Sequence, residues 1–252
     1  MGSGIYAACS ALMARSQALD ILSNNLANVN TTGYKAESQF YQALNAAGAN
    51  APGALNAAVN QFGIVSGEGL NLAAGAMEKT GNPLDLALRG PGFLEVQTAA
   101  GRAYTRAGNL QVAANGTLET SQGDPVLAVG PPPGLTNDKP LVIPSGEVSI
   151  SPDGTVSVAG ALVGKLRLVE FPAGTPLSPL GDAYFSAPAG KAQAATQTAI
   201  ASGALESSNV NAITSETDLI GLQRHYDLLE RALKILNTDF DQTASVDLPR
   251  VS

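Results

Sequence analysis

Side chains that could form a catalytic or metal site are scarce in this sequence. The chain of 252 residues contains one histidine, His225, and one cysteine, Cys9. Covalent hydrolysis needs a nucleophile, a base and a residue that orients the base, and structural zinc needs several His or Cys ligands at short spacings. These two residues cannot supply either arrangement. We expect Cys9 to be a small apolar residue of a packed helix instead of a reactive thiol, and His225 to lie on a helix surface or interface.

Two weaker chemical patterns carry little information. Gly63, Gly67 and Gly69 do not follow the strand of a βαβ unit, so they do not predict a phosphate-binding loop. The carboxylates are scattered along the chain. A pair of them could meet in a folded β domain without leaving a trace in the sequence, which keeps a glycosidase open as an alternative. The sequence otherwise predicts a protein that is not an enzyme and that uses no cofactor and no metal.

The polar side chains that do cluster are amides. Asn24, Asn25, Asn28 and Asn30 fall near the end of a predicted N-terminal helix, and the turn sequence Asn-Thr-Thr-Gly ends at Gly33. Asparagine is a mediocre helix former because its side chain competes for backbone hydrogen bonds. One interpretation is a frayed helix end in which Gly33 takes a left-handed conformation. The other is a set of amides that bond across a helix–helix or subunit interface.

Two long helical patterns, one at each end of the chain, would position these amides. Apolar residues recur at spacings of three and four, which is typical of a helix that packs against another helix. We call these residues the seam: Leu12, Leu19, Leu22, Leu26 and Val29 in the first helix, and Leu219, Leu222, Tyr226, Leu229, Leu233, Leu236 and Phe240 in the second. The first helix is predicted from about Gly4 to about Asn30. The second is predicted to end near Asp241, with Asn211 or Ser215 as its cap.

Short strands and turns are predicted between the helices. Asn115-Gly116 and Asp153-Gly154 are hairpin turn sequences, Phe93 to Thr98 is a predicted strand, and Leu162 to Phe171 is the longest strand candidate. The sequence therefore predicts a mainly β fold with paired N- and C-terminal α-helices. An antiparallel β domain, residues 71–210, is inserted between terminal helices that form a coiled-coil layer. Residues 1–32 and 211–252 make the discontinuous helical domain, and residues 33–70 are predicted as a linker.

Composition and charge exclude several classes of function. The formal net charge is −7 and the sequence pI is about 4.7, and no basic run predicts binding to nucleic acid. No run of 18 apolar residues predicts membrane insertion. The first fourteen residues carry no basic side chain, so they do not resemble a cleaved signal peptide. We expect a cytoplasmic protein or one exported without a cleaved signal.

Several stretches resemble the bacterial flagellar rod and hook axial proteins. Residues 19–35, LDILSNNLANVNTTGYK, resemble the N-terminal motif of that family, and residues 203–211, GALESSNVN, resemble its second motif. Residues 222–227, LQRHYD, stand where the family has a Gln-Arg-aromatic stretch. The middle segments NPLDLAL (82–88), GFL (92–94) and AYTR (103–106) also match. The residues that the resemblance marks as motif or subunit-interface positions are Asn24, Asn25, Asn28, Asn30, Thr32, Gly33, Ser208, Asn209, Asn211, Gln223 and Arg224.

The resemblance implies a structural role. In this family the terminal helices pair as a coiled coil inside a helical tube, with the β domain outside. It implies a subunit of the periplasmic basal-body rod, whose partners are its own copies, other axial proteins and the flagellar type III export apparatus, with no cleaved signal. The apolar seams suggest that the terminal helices order only on assembly.

Two alternatives stay open: which type of rod protein the chain resembles, and whether it is a rod protein or a structural protein of another class. Residues 83–88 and 96–98 are similar to the proximal rod type. The chain also lacks the longer insertion after Tyr41 that is typical of the distal type, which is the alternative. A secreted β-rich adhesin or phage-tail protein that trimerises through helices would share the composition. It would need one continuous coiled coil instead of two separated seams.

Overall fold

The computed structural model describes residues 2–42, 64–129, 139–181 and 183–247. In these residues the chain is mainly β, with one helix near each end. Helix α1 spans Gly2–Ala27 and helix α2 spans Ala212–Asp247. This confirms the expected fold class of a β region between an N-terminal and a C-terminal helix.

The described strands are short, and the pairings among β3 to β19 are antiparallel. In chain order they are β1 Glu37–Gln42, β2 Ile64–Leu70, β3 Met77–Lys79, β4 Leu86–Arg89, β5 Phe93–Thr98, β6 Gly101–Thr105, β7 Leu110–Val112, β8 Leu118–Thr120, β9 Leu127–Val129, β10 Lys139–Pro140, β11 Val148–Ile150, β12 Thr155–Val158, β13 Ala161–Leu166, β14 Leu168–Glu170, β15 Ser178–Pro179, β16 Tyr184–Ser186, β17 Gln193–Ala194, β18 Ala199–Ser202 and β19 Ala204–Glu206.

The chain divides into two compact units. The helical unit comprises Met1–Leu26, Glu37–Glu68 and Asn211–Ser252, and the β unit comprises Ala27–Ala36 and Gly69–Val210. The last residue of α1, Ala27, and the nine residues that follow it therefore belong to the β unit. The segment 33–70 contains β1 and β2, which pair with each other. Residues 43–63 of this segment lie outside the described part of the chain.

Helix α1 ends earlier than the predicted Asn30 because its last amides form a turn. The Thr31 backbone N–H donates to the Asn28 carbonyl at 3.1 Å, and the Thr31 hydroxyl donates to Asn28 Oδ1 at 3.0 Å. Gly33 closes this turn with φ +70°, so the left-handed glycine predicted from the sequence is confirmed. Hydrogen bonding inside the turn replaces another helical turn.

The most buried described face of α1 is not the leucine seam. Ala14, Ala18, Ile21 and Asn25 are the buried residues of this helix, and their spacing of four, three and four places them on one face. Cys9 is exposed, so its expected place as a packed apolar residue is wrong for the folded chain. It lies one turn before the exposed Met13, away from the buried face.

Helix α2 begins at the first of its two predicted caps. Asn211 Oδ1 accepts a hydrogen bond from the Thr214 backbone N–H at 3.2 Å, which is the geometry of an N-cap. Ser215 lies inside the helix and is buried. The helix continues six residues past the predicted end at Asp241, and an ion pair of 2.6 Å between Glu230 and Lys234 joins successive turns.

Two larger sheets enclose the core of the β unit. One has the strand order β15-β16-β6-β5-β14-β17, and the other has the order β10-β9-β13-β12-β11. Apolar residues of these sheets and of neighbouring segments, including β8, form one buried cluster that includes Leu94, Leu118, Val126 and Leu166, each 0% exposed. A second cluster is aromatic: Phe93 meets Phe171 and Phe185 edge-to-face at centroid distances of 5.7 Å.

The predicted strand Leu162 to Phe171 is wrong in one respect: the chain changes sheets inside it. β13 belongs to the five-stranded sheet and β14 to the six-stranded sheet. Between them, the Arg167 backbone N–H donates to Leu127 O at 3.0 Å, and Arg167 O accepts from the Glu95 N–H at 3.2 Å. One residue therefore bonds strands of both sheets, and the alternating side chains do not reveal that change of partner.

Both predicted hairpin turns and the predicted strand at Phe93 to Thr98 are present in the structure. Asn115-Gly116 joins β7 to β8, and Asp153-Gly154 joins β11 to β12. The strand predicted at Phe93 to Thr98 has the same bounds in the structure. The three-residue strands β3 and β19, which pair with each other, were not expected from the sequence.

Candidate functional site

Three sequence motifs that lie far apart along the chain meet inside the β unit. The turn of residues 28–35 follows α1, Arg106 follows strand β6, and Glu206 ends strand β19. The Gly33 backbone N–H donates to the Glu206 carbonyl at 2.7 Å. A side chain at Gly33 would overlap the backbone of Arg106 and Ala107, so only glycine allows this close approach.

A buried cluster of three charged side chains holds this junction together. Lys35 Nζ lies 2.6 Å from Glu206 Oε1, and both side chains are 0% exposed. Glu206 Oε2 lies 3.2 Å from Arg106 Nε. Lys35 Nζ also donates to Ala73 O at 2.7 Å, and the Gly75 N–H donates to Glu206 Oε1 at 2.9 Å. We call Lys35, Arg106 and Glu206 the charge cluster.

Arg106 also contacts backbone carbonyls and an aromatic ring. Its guanidinium donates to Leu88 O at 3.4 Å and to Gly90 O, and it lies 5.6 Å from the centroid of the Phe93 ring. Carbonyl oxygens and the face of an aromatic ring both stabilise a buried cation. Arg106 thus ties β4 and the aromatic core to the carboxylate of Glu206.

Electrostatically the charge cluster is unbalanced, with two cations and one carboxylate. Burial lowers the pKa of Lys35, and the hydrogen bond and charge of Glu206 act in the opposite direction. Burial likewise lowers the pKa of Arg106, again opposed by Glu206. Because Lys35 and Glu206 are fully buried, they cannot reach a substrate. The arrangement serves to hold three chain segments together.

Asn209 joins the same segments through its amide and its backbone. Its Nδ2 donates to Asn71 O at 2.7 Å and to Ala73 O at 3.0 Å, and its Oδ1 accepts from the Ala36 N–H at 2.8 Å. Its backbone N–H donates to Tyr34 O at 3.4 Å. The C-terminal motif is therefore bonded directly to the end of the N-terminal motif.

Asn25 forms a second junction, this one inside the helical unit. Its Nδ2 donates to Glu37 O and its Oδ1 accepts from the Glu37 N–H, both at 2.8 Å. A carboxamide that bonds both backbone groups of one residue imitates a neighbouring β-strand. Asn25, which is buried, thus fixes the first residue of β1 against α1.

The other predicted motif residues occupy different environments. Asn24 and Asn30 are exposed, as are Gln223 and Arg224 on α2, whereas Asn28 and Thr32 are half-buried. Ser208 Oγ accepts from the Val210 N–H at 3.2 Å, and Asn211 caps α2. The structure brings Gly33 and Asn209 together in the β unit. It leaves Gln223, Arg224 and His225 on an exposed face of α2.

The seam residues share one state of burial where their side chains are described. Half-buried side chains are found at Leu12, Leu19, Leu22, Leu26, Val29, Leu219, Leu222, Tyr226 and Leu229. The side chains of Leu233, Leu236 and Phe240 lie outside the described set. Leucine and tyrosine side chains that keep part of their surface in water retain apolar area for a further contact.

Sequence reasoning missed the charge cluster, although each member stands inside a motif that it had singled out. A usable signal was present: Lys35 directly follows Tyr34, Glu206 directly follows Leu205, and Arg106 stands two residues after Tyr104. What the sequence could not provide is their pairing. Among the described residues, no group of three or more His, Cys, Asp or Glu is arranged to hold a metal ion. No helix in that part of the chain is long and apolar enough to cross a membrane.

Three family models match the chain, one for each of its regions. The model described as flagella basal body rod protein matches residues 5–35. The model for the D1 domain of the flagellar hook protein FlgE/F/G matches residues 87–158. The model for the C-terminal region of the flagellar basal body rod FlgEFG proteins matches residues 201–246. The first and third of these include Lys35 and Glu206.

Curated relatives are similar over nearly their whole length. The flagellar basal-body rod protein FlgF of Caulobacter vibrioides is 34% identical, over 92% of this chain and 93% of the relative. FlgF of Salmonella typhimurium is 34% identical, over 88% of this chain and 90% of the relative. The flagellar basal-body rod protein FlgG of Bacillus subtilis is 33% identical, with the same coverage as the Salmonella protein.

Proposed function

Because this chain belongs to the flagellar basal-body rod protein family and is FlgF-like, we propose that it is a structural subunit that polymerises into the flagellar rod. The observation that carries the proposal is similarity to rod proteins along almost the full length of the chain. This family is a structural one and not an enzyme family. The location that follows is the flagellar basal body, in the rod that the relatives' names specify.

The proposed mechanism is helical polymerisation through the terminal helices. Residues 1–32 and 211–252 would act as a discontinuous assembly domain and residues 71–210 as an outer β domain, with 33–70 connecting them. The seam residues of both helices are half-buried where described, so each helix keeps apolar surface for a neighbour. In a coiled-coil layer these surfaces would be covered by the other helix and by adjacent copies. Head-to-tail contacts that do not close on themselves generate a helical filament.

The exposed face of α2 supports the same proposal. Ile213, Ile220 and Leu228 are between 51% and 78% exposed, and their spacing puts them on the side of the helix opposite the seam. The polar motif residues Gln223 and Arg224 are exposed as well. A helix with half-buried apolar residues on one side and exposed ones on the other is suited to contacts with two neighbours.

The proximal rod is the position that we propose within the rod. The FlgF relatives from Caulobacter and Salmonella, each 34% identical, are consistent with it. The distal rod is the alternative, since a FlgG relative is nearly as similar at 33%. The proposed partners are further copies of this chain, other axial proteins and the flagellar type III export apparatus. A trimeric adhesin or phage-tail protein, the alternative from another class, requires one continuous coiled coil.

Electron microscopy of purified full-length protein, concentrated until it polymerises, tests the proposal. The expected result is a helical array with the helices innermost and the β unit outside. A closed trimer held by a single coiled coil would contradict it. The rod position is tested by expressing the chain in strains that lack either the proximal or the distal rod protein. Swimming should return only in the strain that lacks the proximal rod protein. If swimming returned only in the strain that lacks the distal rod protein, the distal assignment would be favoured.

A further inference from the structure

The two family motifs meet in the β unit as partners within one chain, and this arrangement has a consequence for folding. We propose that residues 28–36 and 203–209 form a latch that opens and closes as one cooperative unit, independently of the apolar core, and that closes last when the β unit folds. The latch goes beyond the proposed role as a rod subunit, because it concerns the folding of the single chain.

Direct hydrogen bonds join the two halves of the latch. The Gly33 N–H donates to Glu206 O at 2.7 Å, and the Ala36 N–H donates to Asn209 Oδ1 at 2.8 Å. Lys35 Nζ lies 2.6 Å from Glu206 Oε1. Each half thus satisfies polar groups of the other, and neither half has these partners in its own stretch of sequence.

Cooperativity follows from burial of the charges. If residues 28–36 left their place, the Glu206 carboxylate would lose Lys35 while still facing Arg106. If residues 203–209 left, Lys35 and Arg106 would both remain without a carboxylate. Removing one partner of a buried ion pair is far more costly than removing the pair. Each half is therefore stable in place only when the other is present, and partly opened states are disfavoured.

The latch differs in kind from the core that it adjoins. The latch contains one buried hydrophobic side chain, Tyr34, and is otherwise held by hydrogen bonds and buried charges. Apolar residues such as Leu118 and Val126 form the core. Regions with little apolar burial open at a lower free energy than the core does. The latch should therefore open, and release β19 from β3, without unfolding the two larger sheets.

The latch closes late because its two halves lie far apart along the chain. Lys35 and Glu206 are separated by 171 residues. The N-terminal motif cannot take its final place until nearly the whole β unit is available, and closing so long a loop is entropically costly before the intervening strands have folded. Residues 28–36 consequently stay accessible to other proteins in any chain whose C-terminal part has not yet folded.

Native-state hydrogen exchange on the full-length chain tests the latch. We call four backbone amides the latch amides: those of Gly33, Ala36 and Ser207, which lie in the latch, and that of Gly75, which donates to the Glu206 carboxylate. The amides of Leu118 and Val126 report on the core. We expect the four latch amides to share one opening free energy, lower than that of the two core amides. Separate opening free energies for the four amides would overturn the proposal. Exchange of all six amides only through global unfolding would overturn it as well.

Substitutions in the charge cluster give the second measurement. Glu206→Gln should lower protection at all four latch amides by about a hundredfold or more, because it leaves two buried cations without a carboxylate. Lys35→Met leaves Arg106 and Glu206 as a balanced pair, and it is the variant to use if Glu206→Gln does not fold. Lys35→Met should lower the protection of the same four amides from exchange, and by a similar factor at each. Asp153→Asn, in an exposed pair, is the control. A loss of protection confined to Gly75, the direct partner of the Glu206 carboxylate, would contradict a cooperative latch.

Discussion

Lys35 Nζ lies 2.6 Å from Glu206 Oε1 although the two residues are separated by 171 positions, and neither side chain is exposed to solvent. This ion pair joins the motif that follows the N-terminal helix to the motif that precedes the C-terminal helix. The second carboxylate oxygen of Glu206 faces Arg106 from a third motif. The arrangement gives the family motifs an intrachain role, and it makes Glu206 the residue on which the junction depends.

Substitution of Glu206 should be strongly destabilising. We expect Glu206→Gln to lower the free energy of unfolding by about 3–5 kcal/mol, because two buried cations lose the carboxylate that they share. The control is Asp153→Asn, which removes a 3.4 Å pair with Lys165 whose side chains are 48% and 59% exposed and should cost about 0–1 kcal/mol. Urea denaturation of the full-length chain measures both values. Equal effects of the two substitutions would contradict the importance of the charge cluster.

Substitution of Gly33 should separate conformational strain from steric overlap. Gly33 has φ +70° and Gly174 has φ +80°. A Cβ atom at Gly33 would overlap the backbone of Arg106 and Ala107, whereas no described atom lies within 4 Å of one at Gly174. Gly174→Ala should therefore lower the free energy of unfolding only by the strain of a left-handed alanine, about 1–2 kcal/mol. Gly33→Ala should lower the free energy of unfolding further, because the steric overlap adds to the same strain. Thermal or urea denaturation provides the comparison, and similar losses would show that the turn can move away from β6.

The amide of Asn25 should be essential to the start of β1. Asn25→Asp replaces the Nδ2 donor with a charged oxygen that faces the Glu37 carbonyl. We expect the free energy of unfolding to fall by about 1–3 kcal/mol or more, since the buried Glu37 carbonyl loses its donor and a charge is buried. Asn30→Asp makes the same chemical change at an exposed site and should leave stability nearly unchanged. Hydrogen exchange at the Glu37 amide provides a local measurement. Unchanged protection there in Asn25→Asp would refute this assignment.

Acid should weaken the contacts of Glu170. Partial burial raises the pKa of its carboxyl, but hydrogen bonds from Thr198, Gln197 and Thr196 to the charged form outweigh burial, and the net pKa lies below its usual value of 4.5. The stabilisation is therefore present above the pKa of the unfolded chain and is lost as pH falls through the lower pKa of the folded chain. The stability difference between wild type and Glu170→Gln should shrink below about pH 4.5.

Urea titrations between pH 7 and pH 3 measure this difference. Glu147→Gln, at an exposed residue, makes the same change in net charge and serves as the control for long-range effects. If the stability difference between wild type and Glu170→Gln grew as the pH fell, the prediction would be contradicted.

The seam should be needed for assembly and not for the β unit. Leu26→Asp places a charge among half-buried apolar residues of α1, so we expect polymerisation and swimming to be lost while the β unit stays folded. Leu162→Asp makes the same substitution at a residue of the β unit that is 73% exposed, and it should allow assembly. Circular dichroism checks the folding of both variants. Normal motility with Leu26→Asp would mean that the seam is not an assembly surface.

Local sequence patterns predicted those elements whose signals lie within a few residues. The helices at both ends follow from apolar spacing, the strand Phe93–Thr98 from its alternation, and the hairpin at Asn115-Gly116 from its turn residues. The expected strand from Leu162 to Phe171 failed in part because alternation does not reveal which sheet a strand joins. The chain changes partners at Arg167. Strands β3 and β19 have only three residues each, too few for a period to be visible.

By itself, the sequence determined the division into helical ends and a β middle, the identity of the family motifs and the need for glycine at residue 33. Each of these depends on residues close together in the chain. Only the tertiary structure decided that Lys35, Arg106 and Glu206 share one buried site and that Asn25 bonds to Glu37. Such pairings depend on which distant segments the packing of the sheets brings together. A buried charge is stable only beside an opposite charge, and the sequence lists both without showing that they meet.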